Sequence, residues 1–263
     1  MQYCEEKNKI LLAGADVLDI VKTFECGQCF RWNADSSGVY TGVVNGSAAR
    51  VWTENGSVFL CSDGDEAMWR DYFDLDTDYE SIRRGFFGYG EYMRTCAEYG
   101  AGIRILRQNK WEALCSFIIS QCNNIPRIKK IVETLCREFG EGIYLDGQSY
   151  YTFPSAERIA ALEAEDLAPL RCGYRAPYII TAARAVAEGE IDLDALSEPA
   201  TSCAEAVKTL RSLHGIGEKV ANCVVLFSLR KLDAFPVDVW MKRALRENFP
   251  PDFDPKVLGS HAG

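Results

Sequence analysis

Lys219 and Asp238 are the side chains whose type and placement could do the most chemistry. Lys219 falls in the first turn of a helix that the sequence predicts from about Glu218 to Leu229. A cation is poorly placed there, because the helix dipole is positive at its N-terminus. The rest of that helix, Val220-Ala221-Asn222-Cys223-Val224-Val225-Leu226-Phe227-Ser228-Leu229, is apolar nearly all round and reads as buried. Burial and the dipole both favour the uncharged amine, and an uncharged lysine amine is a nucleophile. The plainer alternative is a lysine that snorkels to solvent. Asp238 follows Pro236-Val237 and precedes the helical run Val239–Glu247, which makes it an N-cap. Capping and catalysis are compatible roles. The helix from Lys219 to about Arg230 covers roughly 16 Å, and residues 231–237 can span about 23 Å when extended. The chain can therefore bring Asp238 back towards Lys219.

Just before Lys219 the sequence reads Leu213-His214-Gly215-Ile216-Gly217. Two glycines one residue apart permit a tight turn through backbone conformations that other residues resist. Their N–H groups, with a helix N-terminus behind them, form a seat for a phosphate. Alone, such a turn is more often a plain connector between helices. A phosphate-holding turn, a first-turn lysine and a returning aspartate make a more specific set.

These groups must be positioned by two kinds of structure. Residues 9 to about 61 read as an antiparallel meander. Its short β-rich runs are Phe30-Arg31-Trp32, Val39–Val44, Ala49–Trp52 and Ser57–Leu60, separated by turn signals such as Ser36-Ser37-Gly38, Asn45-Gly46 and Asn55-Gly56. From about residue 66 the periodicity is helical. Helices are expected at about 111–122, from Ile128 up to Gly140, at Pro177–Glu188 and at Cys203–Leu213. Strands followed only by helices predict an α+β protein, with an N-terminal antiparallel β-sheet domain over residues 1–108 and an all-α domain over 109–263.

The chain has 263 residues, 48% of them hydrophobic and 25% charged, as in an ordinary globular protein. No apolar run approaches the roughly 18 residues of a membrane helix, and Met1–Glu6 lacks a signal-peptide pattern. The eleven cysteines fall largely in apolar helical patterns, which suits a reducing compartment better than a disulfide framework. A cytoplasmic protein of bacterial type is expected. The net charge of −9 counts against nucleic acid as a partner. Phosphates nevertheless respond to the local face, and basic residues cluster at Arg83-Arg84, Arg104/Arg107, Arg127/Lys129/Lys130, Arg230-Lys231 and Lys242-Arg243. Each cluster alone is more often a solvated face.

Taken together, Leu213-His214-Gly215-Ile216-Gly217…Lys219 and Pro236-Val237-Asp238 resemble the helix–hairpin–helix and aspartate signature of base-excision DNA glycosylases. Three further segments resemble the 8-oxoguanine DNA glycosylase branch: Cys26-Gly27-Gln28-Cys29-Phe30-Arg31-Trp32, Ser120-Gln121-Cys122-Asn123-Asn124-Ile125-Pro126-Arg127 and Gly173-Tyr174-Arg175-Ala176-Pro177-Tyr178. The resemblance covers most of the chain from about residue 9. It implies a bifunctional glycosylase and abasic-site lyase, monomeric, acting on double-stranded DNA that contains oxidised guanine, at the nucleoid and without a metal or organic cofactor. Lys219 would be the nucleophile and Asp238 its carboxylate partner. The Gly27 carbonyl would accept the N7 hydrogen that 8-oxoguanine has and guanine lacks, and Cys223 would line the base pocket. Asn123 would help fill the gap left by the extruded base, Arg127 and Arg175 would read the orphaned cytosine, and Tyr174 would wedge into the stack. The backbone of His214, Gly215 and Gly217 would face a phosphate.

Three departures from the branch matter. Cys122 stands where an asparagine often touches the cytosine, and Trp240 where some relatives carry a phosphate-gripping histidine. Gly259-Ser260-His261-Ala262-Gly263 resembles the start of the family's last helix, whose aromatic and amide contact the flipped base. With the sequence stopping there, that helix is expected to be missing and the base pocket open on one side. Cys26 and Cys29 could instead form a redox or metal pair, but zinc needs four ligands and no second close pair exists. The iron–sulfur glycosylases are disfavoured, since no cysteine follows Cys223. A helix–hairpin–helix protein that binds DNA with little or no catalysis is the alternative from another class.

Overall fold

The computed structural model describes residues 9–253. The N-terminal stretch Met1–Glu6 and the terminal stretch Gly259–Gly263, on which two expectations rest, lie outside the described residues. Strands β1 (Lys9–Gly14), β2 (Asn33–Ala34), β3 (Tyr40–Val44), β4 (Ser47–Glu54) and β5 (Ser57–Ser62) form one antiparallel sheet in the order β1-β5-β4-β3-β2. Asn45-Gly46 and Asn55-Gly56 make its two tight turns. All four residues have positive φ (48°, 82°, 49° and 75°), which asparagine and glycine tolerate better than other residues.

One face of the sheet packs on helix α1 (Ile20–Glu25) and helix α2 (Glu66–Tyr72) through an aromatic core. Phe24 stacks on Trp32 at 4.5 Å, and the Trp32 indole N–H donates to the Tyr72 hydroxyl at 2.9 Å. Helices α3 (Tyr79–Gly85) and α4 (Glu91–Tyr99), joined by a short 3-10 turn, then lead to the helical part.

That part consists of α5 (Lys110–Ser120), α6 (Ile125–Phe139), α7 (Ala156–Ala160), α8 (Arg175–Ala187), α9 (Leu193–Ser197), α10 (Cys203–Leu210), α11 (Glu218–Phe227) and α12 (Val239–Asn248). Helix α5 is its axis: every residue from Ala113 to Ile119 is buried, so it is enclosed on all sides. Asn109 and Asn124 cap α5 and α6 through the N–H groups of Glu112 and Arg127, each at 3.0 Å.

The α+β architecture is as expected, with three differences. Phe30-Arg31-Trp32 is not a strand. It is buried irregular chain in which Phe30 joins the helical core and Trp32 the sheet core, and that split is incompatible with one alternating face. The second part is not purely helical, because β6 (Gly142–Leu145) and β7 (Gln148–Tyr151) form a hairpin around Asp146-Gly147. Leu145 packs on Val43 and Ala48 of the large sheet, and Asp146 pairs with Arg50 at 2.7 Å. The hairpin thus covers a sheet face from a distant point in sequence. Finally, Cys61 is disulfide-bonded, although Cys26, Cys29, Cys96, Cys115, Cys122, Cys136, Cys172 and Cys223 are free thiols.

Candidate active site

Lys219 is half-buried in the first turn of α11, and its Nζ lies 5.6 Å above the Phe117 ring of α5. Phe117 stacks on Phe227 and meets Phe30 edge-on, each at 5.7 Å. The amine therefore sits on an aromatic floor built by α5, the end of α11 and the loop that follows Gly27. Cys223, one turn beyond Lys219, is buried. Burial pushes its thiol above the ordinary thiol range. The charge of Lys219 and a hydrogen bond with it oppose the rise, and the Asp238 carboxylate adds to it. These interactions bring Lys219, Cys223 and Asp238 into one site. The thiol is protonated at neutral pH, so it forms a wall of the site and does not compete as a nucleophile. Asp238 is exposed and caps α12, accepting from the Met241 N–H at 2.8 Å.

The turn between α10 and α11 is shaped by packing as well as by conformation. Gly215 has φ +86°, and a Cβ there would lie 2.3 Å from Cγ of Tyr178. Tyr178 meets the exposed His214 ring edge-on at 5.1 Å and Tyr174 at 6.0 Å. Gly217 is the N-cap of α11 and gives it no side-chain cap. The first-turn N–H donors are thus left to an external acceptor.

A second group of residues gathers at the turn between α5 and α6. Cys122 is exposed with φ +47°. Asn123 folds back, its amide donating to the Ile119 carbonyl at 3.1 Å. Arg127 is exposed and reaches the Arg171 carbonyl at 3.2 Å. Tyr174 is half exposed, while Arg175 is only 3% exposed. The Arg175 guanidinium donates to the carbonyls of Gln121, Cys172 (3.1 Å) and Cys122 (3.3 Å) and lies 4.5 Å over the Tyr174 ring. In this structure Arg175 braces the turn from beneath and does not face solvent.

Gly27 is half-buried with φ +83° and open space on its Cβ side. Its loop is held by buried Gln28. The Gln28 amide donates to the carbonyls of Thr23 (2.9 Å) and Arg104 (2.8 Å), and its oxygen accepts from the Leu106 N–H (2.9 Å). Gln108 ties the Gln28 carbonyl (2.7 Å) to the Phe227 carbonyl (3.4 Å) at the end of α11. Gln28→Leu is expected to strand the Arg104 carbonyl and the Leu106 N–H and to lower stability by about 2–4 kcal/mol. A urea-unfolding midpoint close to that of wild type would show that the loop is held by other contacts. The Cys26 and Cys29 thiols both point at backbone carbonyls, those of Thr23 (3.3 Å) and Phe24 (3.9 Å), and burial raises both pKa values.

Residues 115–256, more than half of the chain, match the family described as HhH-GPD superfamily base excision DNA repair protein. The chain belongs to the HhH-GPD superfamily. Ahead of the HhH-GPD region, residues 10–114 match the 8-oxoguanine DNA glycosylase N-terminal domain. The structure of MBOgg1 in complex with a low-affinity DNA ligand is 40% identical, with a TM-score of 0.87 over 98% of this chain and 90% of that one. The Clostridium acetobutylicum 8-oxoguanine glycosylase/lyase, bound to double-stranded DNA with cytosine opposite 8-oxoG, is 32% identical, with a TM-score of 0.84 over 93% and 85%. The Arabidopsis thaliana N-glycosylase/DNA lyase OGG1 is 31% identical over 239 residues, which are 85% of this chain and 64% of that protein. The chain spans less than two thirds of the length of the first curated relatives it matches.

Within this HhH-GPD chain the site residues expected from sequence fall into two clusters. Lys219 and Cys223 meet through a hydrogen bond, and the Asp238 carboxylate acts on that thiol through its charge. Asn123, Arg127, Tyr174 and Arg175 gather around the 121–124 turn and connect to His214 and Gly215 through Tyr178. Sequence reasoning missed three supports: Phe117 beneath the lysine, Gln28 behind Gly27, and Tyr178 against Gly215. Phe117 read only as part of a helix pattern, and Tyr178 as the last residue of the Gly173–Tyr178 segment with no role of its own. Gln28 carried the one available signal, a polar residue between two apolar stretches. Among the described residues no helix is long and apolar enough to cross a membrane.

Proposed function

We propose that the chain is a bifunctional DNA glycosylase and abasic-site lyase that excises 8-oxoguanine from duplex DNA. The observation that supports this reading is the half-buried Lys219 amine 5.6 Å over the Phe117 ring and bonded to the Cys223 wall, with the Asp238 carboxylate near enough to act on that thiol. The damaged nucleotide is flipped out of the stack. The Lys219 nitrogen forms a bond to C1′ as the glycosidic bond breaks and the base departs with the electron pair and a proton. Asp238 stabilises the positive charge that develops on the sugar. The nitrogen, which keeps one proton, then expels O4′ with its lone pair as the sugar ring opens, and O4′ takes a proton from solvent, leaving a protonated Schiff base. Loss of a C2′ proton expels the 3′ phosphate, and the strand is cut 3′ to the lesion.

The remaining roles follow the same reading. The Gly27 carbonyl accepts from N7–H of the oxidised base, and a lone main-chain acceptor discriminates because normal guanine leaves it unpaired. The hairpin backbone at His214, Gly215 and Gly217 holds a phosphate. Tyr174 enters the stack, Asn123 occupies the vacated space and Arg127 contacts the orphaned cytosine. Arg175 reaches that base only by giving up its carbonyl contacts. Residues 1–108 form the recognition domain and 109–263 the catalytic domain of a monomer, acting in the cytoplasm at the nucleoid.

Borohydride trapping on a duplex with 8-oxoguanine opposite cytosine tests the reading. A covalent protein–DNA adduct is expected. Intact DNA binding with neither adduct nor base release would leave a DNA-binding protein without chemistry. Asp238→Asn separates the two roles of that residue. Asparagine caps helices as well as aspartate does, so the thermal midpoint should hold. Single-turnover base release should slow by about 10²-fold; an unchanged rate would remove Asp238 from the mechanism.

A further inference from the structure

Residues 103–109, which join the sheet domain to α5, adopt no regular structure, yet they are firmly held. The Arg104 guanidinium donates to the carbonyls of Val17 (3.1 Å), Asp74 (2.6 Å) and Thr77 (3.0 Å). The Arg107 N–H donates to the Tyr72 carbonyl at 2.9 Å, and Leu106 is buried. Gln108, the residue before the α5 cap Asn109, is half-buried at the end of this stretch.

The Gln108 side-chain amide has two hydrogens and donates to two carbonyls, one from each part of the molecule. One belongs to Gln28, the residue after Gly27, at 2.7 Å. The other belongs to Phe227, the last residue of α11, at 3.4 Å. A helix leaves its last four carbonyls without partners inside the helix. In α11 the N–H groups of Ser228 and Lys231 reach back to the Val224 and Val225 carbonyls, and Gln108 supplies a donor for Phe227. From Phe227 the contacts continue to the nucleophile. Its ring stacks on Phe117 with planes 18° apart, and Phe117 lies beneath the Lys219 amine. One side chain thus links the loop assigned to read the base with the helix that carries the lysine. The link matters chemically. N7 of a purine and N9, which bears C1′, belong to the same rigid ring, so a base held at N7 fixes where C1′ lies. A misplacement of about 1 Å between reacting groups can cost about 10²-fold in rate.

We propose that Gln108 is a positioning residue for base release: by bonding to the Gln28 and Phe227 carbonyls together, it sets the separation between the Gly27 acceptor and the Lys219 amine. The proposal rests on the glycosylase reading above and adds to it the contact that holds the two halves of the site in register. A residue that merely stabilised the fold would serve every step equally. A positioning residue of this kind serves only the step in which a base is read, because an abasic sugar offers Gly27 nothing to bind.

Gln108→Met keeps nearly the length of the side chain and removes both donors. Two single-turnover rates are measured on the full chain at one temperature. The first is release of 8-oxoguanine opposite cytosine, and the second is cutting of a duplex with a preformed abasic site opposite cytosine. Base release should slow by about tenfold or more, while abasic cutting should stay within about twofold of wild type. Affinity for a duplex carrying a tetrahydrofuran abasic analogue opposite cytosine should hold. Gln108→Asn, whose amide is one methylene shorter, should show the same imbalance, and it serves as the test if the methionine variant does not fold. Equal slowing of both rates in a folded variant would make Gln108 a structural residue and overturn the proposal. Base release at the wild-type rate in Gln108→Met would overturn it as well. Failure of the wild-type chain to release 8-oxoguanine would instead sink the reading on which the proposal rests.

Discussion

Lys219→Gln is expected to lose base release and strand cleavage together, each by on the order of 10⁴-fold or more, and to give no borohydride adduct. Glutamine approximates the length of the side chain and keeps a hydrogen-bonding group near Cys223, so the pocket should survive. Binding to the abasic-analogue duplex should be retained, because the hairpin at His214–Gly217 and the 121–127 turn are untouched. Stability should hold or rise slightly, since the change removes a cation from the positive end of α11, a placement worth about 0.3–1 kcal/mol. A more stable protein without chemistry is what a lysine kept for catalysis predicts. Base release at the wild-type rate would mean that water attacks C1′ and that Lys219 serves only the later lyase step, if any.

Gly215→Ala, outside the chemistry, is expected to cost both stability and DNA affinity. Two costs add. An L-residue at φ +86° is strained, by about 1–2 kcal/mol, and the new methyl would overlap the Tyr178 ring, which must shift to admit it. Together they should destabilise by about 2–4 kcal/mol, which for a chain of this size lowers the thermal midpoint by roughly 5–12 °C. Tyr178 also contacts Tyr174 and His214, so DNA affinity should fall as well. The double variant Gly215→Ala/Tyr178→Ala separates the terms: relief of the overlap should make it more stable than the two single losses predict. Strict additivity would leave backbone strain as the only cost.

Features legible in the sequence were those fixed by local chemistry. Asn45-Gly46 and Asn55-Gly56 announce tight turns because few residues accept positive φ at two successive positions. Lys219 and Asp238 stood out because each occupies a helix start with a definite electrostatic meaning. Features that depend on distant partners were not legible. Nothing near Phe117 shows that it will underlie the Lys219 amine about a hundred residues later in the chain. The Gly142–Tyr151 hairpin is too short to display an alternation of its own, and it is justified by the sheet face that it covers. Arg175 reads as a contact to the orphaned cytosine, yet three backbone carbonyls draw it inside.

Under the proposed reading, the group that tells damaged from normal guanine is the carbonyl of Gly27. A main-chain oxygen cannot be deleted by any single codon change, since every amino acid supplies one. Loss or relaxation of lesion discrimination should therefore arise by indirect routes, through residues such as Thr23, Gln28 and Leu106 that set where the carbonyl lies. Selectivity variants of this enzyme should map to the scaffold behind the reader, and a screen confined to side chains facing the base would miss them.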